Sequence, residues 1–200
     1  MPKKRAYEDV FIDAAIHVVY EGGIENLRTK DVADLTGFSE ATLFRFFQTK
    51  EILLRSTFLY VDKRISDILS QSAYVLHSDD TPHELVLYGI WHKVYRHLIE
   101  NQEETICLIR YRYSSLYSPE VRKMREAYNG GLDRAYEVFE RKMGELNGTS
   151  WQLLLNNMFE VTLCFAEKII TGRLEDTEET EGSIWTIIMN SIENAKRIGG

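Results

Sequence analysis

Nine residues between positions 28 and 50 have side chains whose types and spacing could do chemistry: Arg28, Thr29, Ser39, Glu40, Ala41, Thr42, Phe44, Arg45 and Lys50. That chemistry is recognition rather than bond breaking. The arginines, the lysine and the hydroxyl residues are donors, which is what phosphate oxygens require. Glu40 is an acceptor that could take a hydrogen bond from a cytosine amino group, and Ala41 or Phe44 could touch a thymine methyl. Residues four apart on a helix share a side, so Leu43 pairs with Phe47, Glu40 with Phe44, and Ala41 with Arg45. Leu43 and Phe47 can bury together. A helix facing only water has no need of Phe44 beside Arg45, whereas one entering a DNA groove does. Glu40 has a second reading, in which it only complements the positive end of its helix next to a Ser39 cap.

These side chains must be positioned by short helices. Thr29 is expected to cap the first, with Asp31 near its positive end and Val32, Ala33 and Leu35 forming its apolar side. Gly37 stops it, since glycine tolerates the left-handed conformation common past a helix end. Ser39 caps the second. Two brief helices joined by a glycine-bearing turn over about residues 28–47 describe a helix-turn-helix. Thr49 opens a long helix to about Leu76, spanning roughly 40 Å at 1.5 Å per residue. Lys50 in its first turn is poorly placed for the helix dipole, which suits a residue serving an outside anion. Ahead of these, a helix from about Tyr7 to Tyr20 carries Val10, Phe11, Ala14, Ala15, Val18 and Val19 at three- and four-residue spacing. Gly22-Gly23 ends that helix. The basic residues Lys3, Lys4 and Arg5 form an arm that either contacts phosphate or is simply solvated.

The remaining chain also reads as helices. Ser78 to Pro82 is a break, and Thr81-Pro82-His83-Glu84 is a start signal for a helix to about Asn101. Further helices run from Glu104 to Tyr117, from Ser118 to about Leu146 with Gly130-Gly131 inside, from a Ser150 cap to Ile170 with Gly172 after it, and from Ser183 to Ile198. Glu175 to Glu181 reads as a mobile acidic turn. No strand pattern or repeat is present, so the fold class is all-α with about nine helices. Tyr88, His92 and Tyr95 share one helix face, and with Trp91, Arg110, Tyr111, Tyr113, Tyr128, Phe159 and Phe165 they form a candidate lining for a pocket. The plainer reading of such aromatic stripes is core.

Composition narrows the function. The 200 residues carry a formal charge of −7, which argues against a general nucleic-acid coat. Residues 1–60 hold eight Lys/Arg and nine Asp/Glu, so DNA binding would need a local positive surface. Cys107 and Cys164 lack metal-type spacing and read as reduced core thiols of a cytoplasmic protein. No apolar run suggests a signal peptide or a membrane span. There is no glycine-rich phosphate loop, no Gly-x-Ser-x-Gly elbow and no His or Cys metal spacing, so neither an enzyme nor a bound cofactor or metal is expected. His92 and His97, five apart, fall on different faces. A helical interaction module without DNA binding stands as the alternative.

Ala14-Ala15, Glu21-Gly22-Gly23, Thr29-Lys30-Asp31-Val32-Ala33, Gly37-Phe38-Ser39 and the run from Ala41 to Leu53 together resemble the DNA-binding domain of TetR-family (tetracycline-repressor-like) transcriptional regulators. The likeness covers residues 7 to 60. Two residues depart from it: Phe44 stands where tyrosine is usual, and Glu40 where a small or amide residue is commoner. The resemblance implies a helix-turn-helix DNA-binding domain at 1–50 and a larger helical effector-binding and dimerisation domain at 51–200. It implies that Glu40, Ala41 and Phe44 meet bases, that Thr29, Thr42, Arg45 and Lys50 hold phosphates, and that Arg28 and Ser39 belong to the same surface. It implies a homodimer through the last two helices, about 150–171 and 183–198, on a palindromic double-stranded operator. An unknown small-molecule effector would release this repressor.

Overall fold

The computed structural model describes residues 2–75, 82–128, 140 and 151–197. Among the described residues there are nine helices and no strand, as expected of an all-α chain. They are α1 (Pro2–Gly22), α2 (Thr29–Thr36), α3 (Glu40–Phe47), α4 (Lys50–Val75), α5 (His83–Glu100), α6 (Gln102–Arg112), α7 (Pro119–Tyr128), α8 (Trp151–Ile170) and α9 (Glu178–Arg197). The expected break before Pro82, the Gly130-Gly131 bend, the run to Leu146 and the Ser150 cap lie outside the described residues.

The chain divides into two compact units, and α4 contributes to both. One comprises residues 1–64 and 101–128, the other residues 65–100 and 129–200. The first holds α1 to α3, the start of α4, α6 and α7.

In the first unit α1 packs on α2 and on α6, and α2 packs on α3. The buried positions of α1 are Phe11, Ile12, Ala15, Ile16 and Val19, while Val10 is 42% exposed. The expected stripe is thus rotated. Apolar residues flank Phe11, Ala15 and Val19 on both sides, at 10, 14 and 18 and at 12 and 16, and spacing alone does not choose between them. Packing does, and it takes Ile12 and Ile16. Gly23, at φ 87°, ends α1 and donates its N–H to the Val19 carbonyl at 2.9 Å.

The carboxyl end of α1 is held by α6. The Arg110 guanidinium donates to the carbonyl of Val19 and, at 2.8 Å, to that of Tyr20. This cation satisfies the Tyr20 carbonyl, which the helix end leaves without a backbone donor, and complements the dipole there. His17 of α1 lies 3.0 Å from Glu103, and Arg64 of α4 donates to Glu104 at 2.5 Å. On α4, Phe58 stacks on Tyr111 of α6 with centroids 4.5 Å apart. The Asp62 carboxylate, 3% exposed, accepts from Arg125 of α7 at 2.6 Å.

In the second unit α8 packs on both α5 and α9. Trp91 of α5 is buried and stacks on Tyr95. Its indole N–H donates to the Thr162 hydroxyl of α8 at 3.0 Å. Ile184, Ile188 and Ile192 bury one stripe of α9. Gly172, at φ 70°, follows α8 as expected. The segment from Glu175 to Glu181 is not all turn, since Glu178 to Glu181 form the first turn of α9. Thr177 caps α9, accepting the Thr180 N–H at 3.1 Å. Asp176 accepts from Arg96 and Tyr95, and Glu181 accepts from Tyr88 at 2.7 Å and lies 2.8 Å from His92. Cationic and hydroxyl partners on α5 thus fix an acidic run that would otherwise be solvated.

The cysteines part ways. Cys107 is buried, and burial pushes its thiol up to about 12. Cys164 is exposed on α8 rather than in the core. No helix among the described residues is long and apolar enough to cross a membrane.

Candidate nucleic-acid interface

The interface is built on α2, α3 and the turns that bound them. Gly37 takes φ 71° and lets the chain reverse between two eight-residue helices. Ser39 is extended, at φ −79° and ψ 152°, and its hydroxyl accepts the Thr42 N–H at 3.2 Å. The expected Ser39 cap is therefore present. The Thr29 cap is not. Arg28 occupies the cap position of α2 without a side-chain hydrogen bond, and Thr29 is the first helical residue. Its hydroxyl instead donates to Glu40 Oε1 at 2.6 Å, across the turn. Two residues eleven apart meet because both helices begin on the same side of the motif.

Leu43 and Phe47 are the buried residues of α3. The ring of Phe47 meets Phe11 of α1 edge-on at 6.3 Å, and those of Phe46 and Phe38 lie 5.9 and 5.5 Å from Phe11. Rings thus hold α3 to α1 from beneath. The opposite side is open. Ala41, Phe44, Arg45 and Gln48 are exposed, a run of i, i+3, i+4 and i+7 positions that forms one helix face. Phe44 keeps 39% of its surface exposed, an unusual state for a phenyl ring on a helix with a buried side available.

The turn after α3 is strained. Gln48 has φ 39°, the one positive φ of a non-glycine residue among the described residues. Its N–H donates to the Phe44 carbonyl at 3.1 Å. Thr49 then caps α4, accepting the Ile52 N–H at 3.2 Å. A hydrogen bond from its own backbone N–H, together with one from the Thr49 hydroxyl, holds the Glu51 carboxyl below the usual range.

The other expected contacts have these places. Arg28 is exposed, with its Nε 3.4 Å from Asp31. Thr42 is half-buried, its hydroxyl 3.0 Å from that of Ser39. Lys50 is half-buried and donates to the Glu25 carbonyl at 3.2 Å. That bond uses one of three ammonium protons. An open cleft of about 600 Å³ beside α1 and α2 is lined by His17, Glu21, Asn26, Arg28, Asp31 and Asp34 among others, and its carboxylates make that flank unfavourable to phosphate.

The expected pocket residues do not all come together. Tyr88, Trp91, His92 and Tyr95 lie on α5 and Phe159 on α8, in the second unit. Tyr88 stacks on His92 with centroids 5.5 Å apart. Its hydroxyl pKa is raised, first by the hydrogen bond to Glu181 and then by burial. Burial, reinforced by Asp176, raises that of Tyr95. Trp91 and Tyr95 are fully buried. Arg110 and Tyr111 belong to the first unit, where Arg110 grips α1 and Tyr111 stacks on Phe58. Tyr113 is 72% exposed and the Tyr128 side chain lies outside the described residues. Sequence reasoning missed the carboxylates Asp176 and Glu181. Their signal was a helix start, Thr177 followed at the third position by Thr180, within the acidic run.

A three-helix amino-terminal motif with an exposed face on its last helix defines a helix-turn-helix DNA-binding domain. Residues 11–57 match the family model described as bacterial regulatory proteins, tetR family. The chain is also similar to solved structures over nearly its whole length. One is a TetR family transcription regulator from Marinobacter aquaeolei VT8, 22% identical with a TM-score of 0.77, covering 95% of this chain and 97% of that one. Another is the fatty acid degradation regulator FadR from Bacillus halodurans, 18% identical with a TM-score of 0.68, covering 90% and 96%. A third is FadR from Bacillus subtilis, solved in complex with stearoyl-CoA, 16% identical with a TM-score of 0.68, covering 90% and 96%. No curated protein matches the chain. Residues 11–57 thus match the tetR-family model, and the chain shares its fold with these solved structures over nearly its whole length.

Proposed function

We propose that this protein is a dimeric, ligand-responsive repressor that reads a palindromic operator. The observation that carries the reading is the exposed face of α3, where Ala41, Phe44, Arg45 and Gln48 stand together beside the Ser39 cap. Ala41 and Phe44 offer apolar contact to thymine methyls, and Arg45, Lys50, Thr42 and Arg28 supply donors for phosphate. Dimerisation runs through α8 and α9. It is supported by Leu153 and Ile187, which are 61% and 49% exposed on helices that also bury Leu154, Leu163, Ile184 and Ile188. Two copies then set their α3 helices about one DNA turn apart, roughly 34–36 Å.

The functional division proposed is DNA binding in residues 1–50 and effector binding with dimerisation in 51–200, in the cytoplasm where the operator lies. The effector is a small molecule that contacts the Tyr88–His92 side of α5 and Phe159. It acts by binding one arrangement of the dimer more tightly than another, and only that differential affinity can release DNA.

Selection from random duplexes tests the reading. A palindromic sequence is expected to be enriched, and a small molecule retained from lysate and identified by mass spectrometry is expected to lower the affinity for it. No enriched duplex would leave a helical interaction module.

A further inference from the structure

Thr29 and Glu40 are joined in a way that bears on sequence reading. The Thr29 hydroxyl has one proton, and it is donated to Glu40 Oε1 at 2.6 Å. A threonine hydroxyl can serve only one acceptor at a time as donor. While it holds Glu40 it cannot also donate to a phosphate oxygen. A carboxylate at that distance would moreover repel a phosphate brought to the same hydroxyl. Both residues are half-buried, and Glu40 opens the helix whose exposed face begins at Ala41.

We infer that Thr29 is a positioning residue for Glu40, and that the pair together makes the protein select a cytosine in each half-site. Resting on the operator-reading function proposed above, the inference gives each oxygen of Glu40 a task. Oε1 is held from α2 by Thr29. Oε2 is left as the acceptor for an exocyclic amino group in the major groove, and cytosine N4 is the amino group a carboxylate reads there. A glutamate on the first turn of α3 has several free torsions. The bond from a second helix restricts them and so converts a general acceptor into a directed one. Glu40 cannot accept from guanine or thymine, which offer only acceptors there, and the N7 acceptor beside the amino group of adenine repels a carboxylate, so cytosine is favoured at that place.

The test is selection from random duplexes with the full-length protein and the variants T29V, T29S, E40A, E40Q and the double variant T29V/E40A. The wild type should enrich a palindrome with cytosine at one fixed position per half-site, preferred on the order of tenfold over other bases. E40A should lose that preference and leave the other positions unchanged. T29V should lose most of it as well, T29S should keep it, and T29V/E40A should behave as E40A does. E40Q keeps an oxygen for Thr29 and turns a donor towards the base, so its preference should move from cytosine to a base that presents an acceptor there, guanine or thymine. Circular dichroism melting of each variant establishes that it is folded. If T29V weakens all duplexes alike, in the presence and absence of Glu40, then Thr29 is a phosphate contact and the inference is wrong. The same holds if E40A still enriches cytosine at that position. A wild type that enriches nothing overturns the operator-reading function itself, and the pairing inference with it.

Discussion

Arg45 is exposed on the open face of α3, one residue from Phe44. If it meets a phosphate, its removal takes away one released counterion. Arg45→Ala is then expected to weaken binding to all duplexes nearly uniformly and to reduce the salt slope by about 1, as measured by titration over a range of salt. Glu104 and Asp13 lead to a prediction of another kind. Burial, with Asp13 adding to it, raises the Glu104 pKa, although Arg64 pulls it down. Burial, then Asp9, raises that of Asp13, again against Arg64. Between the ordinary carboxylate value and the raised one, the folded protein binds more protons than the unfolded chain. Stability from these two groups is therefore present at low pH and lost as pH rises through that window. Glu104→Gln removes one of the two, so its melting temperature should gain on the wild type as pH rises from about 4 to 7.

At the level of helices, α4 and α7 are joined by a buried pair. Asp62 is 3% exposed and Arg125 reaches it at 2.6 Å while also donating to the Tyr117 hydroxyl at 3.2 Å. Burial lowers the Arg125 pKa, but the attraction of Asp62 and the hydrogen bonds more than offset it, so the net direction is upward. Arg125→Ala strips this partner from a buried carboxylate and should cost roughly 3–5 kcal/mol in urea unfolding, whereas replacing both by apolar residues of similar volume should cost far less. Helices were legible in the sequence where a local rule set their ends. Gly37, Ser39, Thr49 and Gly172 did so with side chains or torsions belonging to the residue itself. Contacts between helices were not legible. Neither the Thr29–Glu40 bond nor the Arg110 grip on α1 has a local signature, because each depends on which helix the fold lays alongside. The fully buried Trp91 and Tyr95 show the same limit from the other side, since aromatic spacing does not tell a core from a pocket lining.

For the molecule as a whole, the proposed dimer makes a clear demand. Leu153 and Ile187 would lose their exposure in the pair, and a charge at either would have to be buried unpaired. Leu153→Glu or Ile187→Glu should therefore shift the protein to monomer by sedimentation and lower operator affinity at least tenfold, because paired half-sites need paired readers. Helix content should stay unchanged, since neither side chain is in the core. The Arg110 grip, finally, affects how this protein can be cut. The unit that contains α3 is assembled from two stretches of chain, 1–64 and 101–128. The Tyr20 carbonyl near the end of α1 is satisfied from the second stretch, which also supplies the ring that stacks on Phe58. A peptide ending near residue 60 would carry the whole family motif yet lack the pieces that finish its core. Excised on its own, such a fragment should be largely unfolded, and adding residues 101–128 through a short tether should restore it.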